Sequence, residues 1–146
     1  MSTIHGVKIP KIVEHEVGLN KIRISNALIR SIDITLDRGS FLCCWVFCDW
    51  GGSACGFGGY PLDAYDPEAK DRAGCEFGAR YLRELICVLG TESFKKAERS
   101  VVRIAHGGLG ESIYGIGHAI DDRWFWPRDL ACRMGLVEVP DRGESQ

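Results

Sequence analysis

The segment from Phe41 to Trp50 constrains the fold more than any other part of the chain, because it is apolar on both faces of an extended strand. Side chains alternate between the two faces of a strand, so aromatic rings and cysteines would occupy one face and leucine, valine and cysteine the other. A strand with two apolar faces must be covered on both sides. The pattern therefore predicts a strand that lies centrally in a sheet or forms part of an interface between subunits.

A cluster of glycines follows directly: residues 49–60, DWGGSACGFGGY, contain five of them. Glycine inside a regular element costs roughly 0.5–1 kcal/mol relative to alanine, so a cluster indicates forced backbone geometry or a close approach to the backbone. Two interpretations stay open here, and they apply equally to residues 107–110 and 115–117. The glycines either shape tight turns and bulges, or their amides cradle a phosphate or a purine face.

The apolar pattern predicts a meander, one main helix and a C-terminal hairpin. The meander comprises a strand from about Leu28 to Leu36, the strand 41–50 and a third strand around Phe57. The helix is predicted over 71–89, capped by Asp71 and closed by Gly90. The hairpin pairs 101–106 with 112–120, and between these elements we predict a loop over 61–70 and a short helical turn at 91–94.

These elements define an α+β fold in which an antiparallel sheet is packed by one main helix, assembled as a homo-oligomer. A chain of 146 residues fits one domain. We assign residues 28–130 to a single ligand-binding domain, 1–27 to an N-terminal extension with at most one strand, and 131–146 to a C-terminal tail.

Composition excludes several classes of function. A hydrophobic fraction of 45% with 26% charged residues is that of a folded chain, and the formal net charge of -2 provides no basic field for duplex nucleic acid. No apolar run approaches the roughly 20 residues that a membrane helix needs, and the N-terminus lacks the apolar core of a secretory signal. We expect an intracellular protein with no membrane or duplex partner. Twelve arginines against six lysines favour discrete anion recognition over a diffuse basic surface.

The sequence lacks the common catalytic and metal-binding motifs. It contains no G-x-G-x-x-G, no P-loop, no H-E-x-x-H and no G-x-S-x-G. Its seven cysteines lie mostly in apolar segments and lack zinc-site spacing, so they are interpreted as reduced core thiols, and no cofactor or metal is expected. A cysteine nucleophile, Cys55 or Cys75 with His106 or His118, remains open, although the sequence shows no activated thiolate or positioned base.

The candidate ligand-binding residues combine guanidinium groups, aromatic rings and glycine amides. Arg72 is predicted in the first helical turn, where free N–H groups favour an anion. Arg123 adjoins an aromatic run, Trp124 to Trp126, that could sandwich a base or anchor the C-terminal segment in the core. The complete candidate set is Arg72, Phe94, Arg103, His106, Arg123, Trp124, Gly58 and Gly59.

Three stretches, GGSACGFGGYPLD, RAGCEFGARYLRELICVLGTESF and IGHAIDDRWFWP, together resemble a family of small phage and prophage proteins. The resemblance covers about residues 28–127 and is closest to the first-described type of Thoeris anti-defence sponge. It implies a non-catalytic protein in the host cytoplasm, built from dimers into a hexamer. Such a protein sequesters cyclic signalling nucleotides, glycocyclic ADP-ribose or cyclic trinucleotides, without degrading them. The resemblance also implies that Arg72, Phe94 and Arg123 contact the ligand.

Two functions from other classes stay open beside a sponge. A phage inhibitor could act by direct contact with a bacterial defence complex, such as a CRISPR complex, and would co-purify with a protein. A nucleotide-degrading enzyme would turn its ligand over.

Overall fold

The computed structural model describes residues 2–108 and 112–138, and they fold around an antiparallel β-sheet of six strands. The elements in chain order are β1 (Ser2–Ile4), β2 (Val7–Ile9), α1 (Lys11–Val17), β3 (Arg23–Asp37), β4 (Phe41–Trp50), β5 (Ser53–Gly58), β6 (Asp63–Asp66), β7 (Asp71–Gly74), α2 (Glu76–Leu89), α3 (Phe94–Ala97), β8 (Val101–His106), β9 (Ile113–His118), β10 (Trp124–Phe125) and α4 (Pro127–Arg133). The large sheet has the order β10-β9-β8-β3-β4-β5, and β1-β2 and β6-β7 form separate two-stranded sheets. The predicted α+β class is confirmed.

The predicted meander is present as β3, β4 and β5, which are consecutive neighbours in the sheet. Trp50 pairs with Ser53 across Gly51 and Gly52, both of which have positive φ, as a tight hairpin turn requires. Strand β3 begins at Arg23, before the expected start near Leu28, and its first half pairs with β8. Strand β4 lies next to the edge strand β5, between it and β3.

The main core lies on one face of the large sheet, which we call the inner face. Helix α2 packs there through Tyr81, Leu85 and neighbouring apolar side chains, against residues such as Ile29 and Val46. Because side chains alternate along a strand, the residues between these point to the opposite, outer face.

The N-terminal residues cover part of the outer face. We predicted little regular structure before residue 28, whereas residues 2–22 form two strands, a helix and a 3₁₀ turn over Leu19–Lys21. Their apolar side chains form a second buried cluster with Ala105 and Trp126; its N-terminal members are Val7, Ile9, Ile12, Val13 and Ile22. Helix α4 joins the two layers, since its Leu130 belongs to the inner core.

The helix predicted over 71–89 begins only at Glu76. Residues 71–74 instead pair with 63–66, so the expected loop over 61–70 contains a strand, and Cys75 rather than Asp71 is the N-cap. The predicted C-cap is confirmed, because Gly90 adopts the left-handed conformation.

The C-terminal hairpin forms as β8 and β9, with a bulge between Ala105 and His106. Tyr114 packs on the second cluster, whereas Ile113 and Ile116 belong to the main core. The bulge adds a residue to one strand and so reverses the alternation beyond it. Within 2–108 and 112–138, no helix has the length and apolar character needed to cross a membrane.

Candidate functional site

Arg72 does not lie at a helix N-terminus, as predicted, but on β7, where it is engaged by Asp63. Its Nε donates to Asp63 Oδ1 at 2.9 Å and its Nη2 donates to the Asp63 backbone oxygen at 2.7 Å. The hydrogen bond from Arg72 holds the pKa of Asp63 below its ordinary value, and the same carboxylate accepts from the Leu42 backbone N–H. Arg72 therefore ties β7 to β6, and the Asp63 carboxylate that it bonds connects this hairpin to β4.

Arg123 and Arg103 meet at the turn that follows β9. Arg123 donates to the Cys87 carbonyl at 3.1 Å and to the Asp121 carboxylate at 3.1 Å. Arg103 donates to the carbonyls of His118 and Asp121, both at 2.8 Å. These guanidinium groups hold the turn against the end of α2. A shallow groove of about 480 Å³ adjoins Arg123, but helix carbonyls and Glu92 make it a poor site for an anion.

Trp124 is a packed ring rather than an open stacking platform. The Arg103 guanidinium lies 5.3 Å from its ring centroid, and the Trp126 ring stacks at 5.2 Å. A Cβ added to Gly117 would lie 2.5 Å from the Trp124 ring, so the indole rests directly on the glycine backbone. Phe125 and Trp126 are buried, as expected for an anchor of the C-terminal segment.

Gly58 and Gly59 also serve packing. A Cβ on Gly58 would lie 1.9 Å from the Cys44 carbonyl oxygen, and one on Gly59 would lie 2.6 Å from the Trp45 ring. Both residues have positive φ. Close packing against β4 is therefore sufficient to explain both glycines. Phe94, at the start of α3, packs against the main core.

The structure separates the candidate residues into two groups. Arg72 lies on β7, ahead of α2 in the chain, whereas Arg123 bonds the carbonyl of Cys87 near the C-terminal end of that helix. A helix of 14 residues spans roughly 20 Å. Within one subunit the two guanidinium groups therefore lie toward different ends of α2, and a ligand contact at either one stays a prediction.

His106 is buried, at 1% exposure, and both of its ring nitrogens are engaged. Nδ1 accepts the Gly108 backbone N–H at 3.0 Å, so the proton lies on Nε2, which donates to Ser25 Oγ at 2.8 Å. A base that activates serine must accept the hydroxyl proton instead. Burial, assisted by repulsion from Arg23, lowers the pKa of His106. The pair therefore supports the loop after β8, and the contact of His106 with a ligand stays a prediction.

A cleft of about 610 Å³ lies on the same side of the molecule as this loop. Four separate stretches line it: the end of α1 and the following turn up to Arg23, Tyr60 after β5, the β8-β9 connection at Gly107 and 112–114, and Arg128 on α4. We call it the basic cleft.

Positive charge dominates the basic cleft. Lys21, Arg23 and Arg128 face one carboxylate, Glu16, which is paired with Arg128. Within the part of the chain that the structure describes, neither Lys21 nor Arg23 has an ion-pair partner. Tyr60 and Tyr114 add aromatic surface. Cations with free donors beside aromatic rings are suited to phosphate groups attached to a planar base.

Sequence reasoning missed most of this cleft. Of its lining, only Gly107 belongs to a segment proposed as a phosphate cradle, and Leu109 to Glu111 of that loop lie outside the described residues. Lys21 and Arg23 flank buried Ile22 at the start of a strand, a pattern that also fits a solvated surface. No local signal links them to Arg128, which lies on a distant helix.

No group of three His, Cys, Asp or Glu side chains within residues 2–108 and 112–138 is placed to hold a metal ion. Comparison of the chain with protein-family models, with curated proteins and with solved structures finds no match in any of the three.

Proposed function

We propose that the chain binds a small cyclic nucleotide through its phosphates in the basic cleft and sequesters it without degrading it. The observation that carries the proposal is the set of three cations against one carboxylate, with two tyrosines on the same walls. The resemblance to anti-defence sponges supplies the ligand class: glycocyclic ADP-ribose first and cyclic trinucleotides second. We place the activity in the cytoplasm of a phage-infected host, where such signals would act.

The required affinity is within reach of such a site. A sponge must hold its ligand below the working concentration of the receptor, which means a Kd of nanomolar order, about -12 kcal/mol. A ligand of a few dozen heavy atoms reaches this at about -0.3 kcal/mol per atom when the pocket is preformed. Two phosphates on Lys21 and Arg23, with a base against Tyr60 or Tyr114, would supply the contacts.

A sponge releases its nucleotide unchanged, whereas an enzyme releases a product. The protein is incubated with glycocyclic ADP-ribose, freed of unbound ligand and heated, and the released material is identified by mass spectrometry. Return of the intact nucleotide is the expected result. An altered product would establish an enzyme, and no captured nucleotide would favour an inhibitor that acts by protein contact.

We also propose that the chain is a homo-oligomer, a dimer that builds a hexamer, in contact through the outer face of β4 and its neighbours. Leu28, Phe47 and Val101 support this, because they lie on the outer face and are 41%, 37% and 51% exposed. Exposed apolar side chains that share one face of a sheet are typical of an interface.

Replacement of Phe47 by Asp is expected to dissociate the oligomer, because a charge would have to be desolvated in the contact. Sedimentation velocity compares this variant with Tyr65→Asp, a change at a residue that is 60% exposed on the separate β6 strand. A sedimentation coefficient of the Phe47 variant equal to that of the unmodified chain would exclude this face.

A further inference from the structure

Arg128 in the basic cleft already holds a carboxylate. Its Nε donates to Glu16 Oε1 at 3.1 Å, and its Nη2 donates to Glu16 Oε2. The pair bridges α1 and α4, and the two side chains are 36% and 37% exposed. The Tyr60 hydroxyl lies within electrostatic reach of both groups.

A phosphate and a carboxylate present the same pair of oxygens to a guanidinium fork. Glu16 therefore occupies the contact that a ligand phosphate would make with Arg128. Partly exposed ion pairs contribute little net free energy, so an anion with more charge can replace this carboxylate. The displaced Glu16 can turn toward water, which avoids the burial of an unpaired charge.

We propose that Glu16 is an internal competitor that occupies Arg128 in the ligand-free cleft, is displaced by the ligand phosphate, and thereby sets the affinity of the cleft for anions. The inference rests on the proposed function of the basic cleft. The cations of the basic cleft then have different roles. Lys21 and Arg23 make the first contact with an anion, and Arg128 binds the anion only after it leaves Glu16.

The chain contains a matched control. Arg133 likewise holds Glu84, with Nη2 3.0 Å from Glu84 Oε1, while its Nε donates to Asp129, and neither Arg133 nor Glu84 lines the basic cleft. Replacement of Glu84 by Gln removes the same charge from a similar pair elsewhere in the molecule.

The test is calorimetric titration of inorganic pyrophosphate at low ionic strength into the full chain and into Glu16→Gln, Glu84→Gln, Arg128→Ala and the double variant Glu16→Gln/Arg128→Ala. Loss of the competitor is expected to tighten binding on the order of fivefold in Glu16→Gln, whereas Glu84→Gln leaves it unchanged. Arg128→Ala weakens binding. The gain from Glu16→Gln is expected to be smaller in the Arg128→Ala background, because Glu16 then has no fork to occupy and only its charge repels the anion. Thermal unfolding of each variant checks that it is folded.

Two results would overturn the inference alone. If Glu16→Gln binds pyrophosphate no more tightly than the unmodified chain, then Glu16 orients Arg128 instead of competing for it. If Glu16→Gln tightens binding by the same factor with and without Arg128, then Glu16 acts only through charge repulsion. Failure of the unmodified chain to bind either pyrophosphate or glycocyclic ADP-ribose would overturn the proposed function of the cleft, and the inference with it.

Discussion

At the scale of single residues, several glycines of this chain lie directly against tryptophan rings, where a Cβ would not fit. Gly56 and Gly59 leave room for the Trp45 ring, and a Cβ on Gly115 would lie 2.5 Å from the Trp126 ring. The sequence shows glycine clusters that fit either a tight sheet or a ligand cradle. It cannot select between these interpretations, because the rings that fill the space come from other strands.

Replacement of Gly117 by Ala is expected to destabilise the fold by roughly 1–3 kcal/mol, because the new Cβ would overlap the Trp124 ring. Gly74→Ala is the matched control, since that glycine has open space around its Cβ position and ordinary φ. Urea denaturation measures both. Equal stability of the two variants would contradict the packing role of Gly117.

The buried His106 predicts how stability depends on pH. The pKa of His106 in the native protein lies below the ordinary value of 6.5. At a pH between the two values, the unfolded chain therefore binds a proton on this ring and the native protein does not. Stability is then fully present above about pH 6.5 and declines as pH falls below it, until the native ring is also protonated. Denaturation of the native chain and of His106→Gln across pH 5–8 checks this. The glutamine variant, which does not titrate there, is expected to show a shallower decline, and an equal decline would assign the effect to other groups.

At the scale of elements, apolar periodicity located the meander, most of the main helix and the hairpin, but it did not place the boundaries that decide chemistry. Ala73 continues the spacing of the helix in sequence, yet residues 71–74 pair with 63–66 and remove Arg72 from the helix terminus. Pairing between strands depends on a partner that local pattern does not identify. The regular structure of the N-terminal residues was missed for the same reason, because their apolar side chains are buried only against the outer face of the sheet.

The N-terminal layer is expected to unfold together with the sheet. Ile9→Ala should cost roughly 2–5 kcal/mol, because Ile9 is fully buried in the second cluster. Its exposed neighbour provides the control, Lys8→Ala, with little expected change. If guanidinium denaturation of Ile9→Ala leaves the main transition in place and shows an earlier, separate one, then residues 2–22 form an independent unit.

At the scale of the whole molecule, the basic cleft forms where segments that are distant in sequence meet. These segments are the turn after α1, Tyr60 beyond β5, the β8-β9 connection and α4. The arginine excess favours anion recognition, and we propose the basic cleft as its site instead of Arg72 and Arg123. Those two residues are engaged within a hairpin and at a turn. Composition thus predicts a chemistry without showing where in the fold it lies.

The measurement that tests the central claim most directly is calorimetric titration of glycocyclic ADP-ribose into the native chain and into Lys21→Ala/Arg23→Ala. The matched control is Lys8→Ala/Arg83→Ala, which removes one lysine and one arginine from exposed positions that do not line the cleft. Nanomolar binding by the native and control chains, with a loss of about 100-fold or more in the cleft variant, is the predicted result. Equal affinity in all three chains would place the ligand elsewhere and contradict the account.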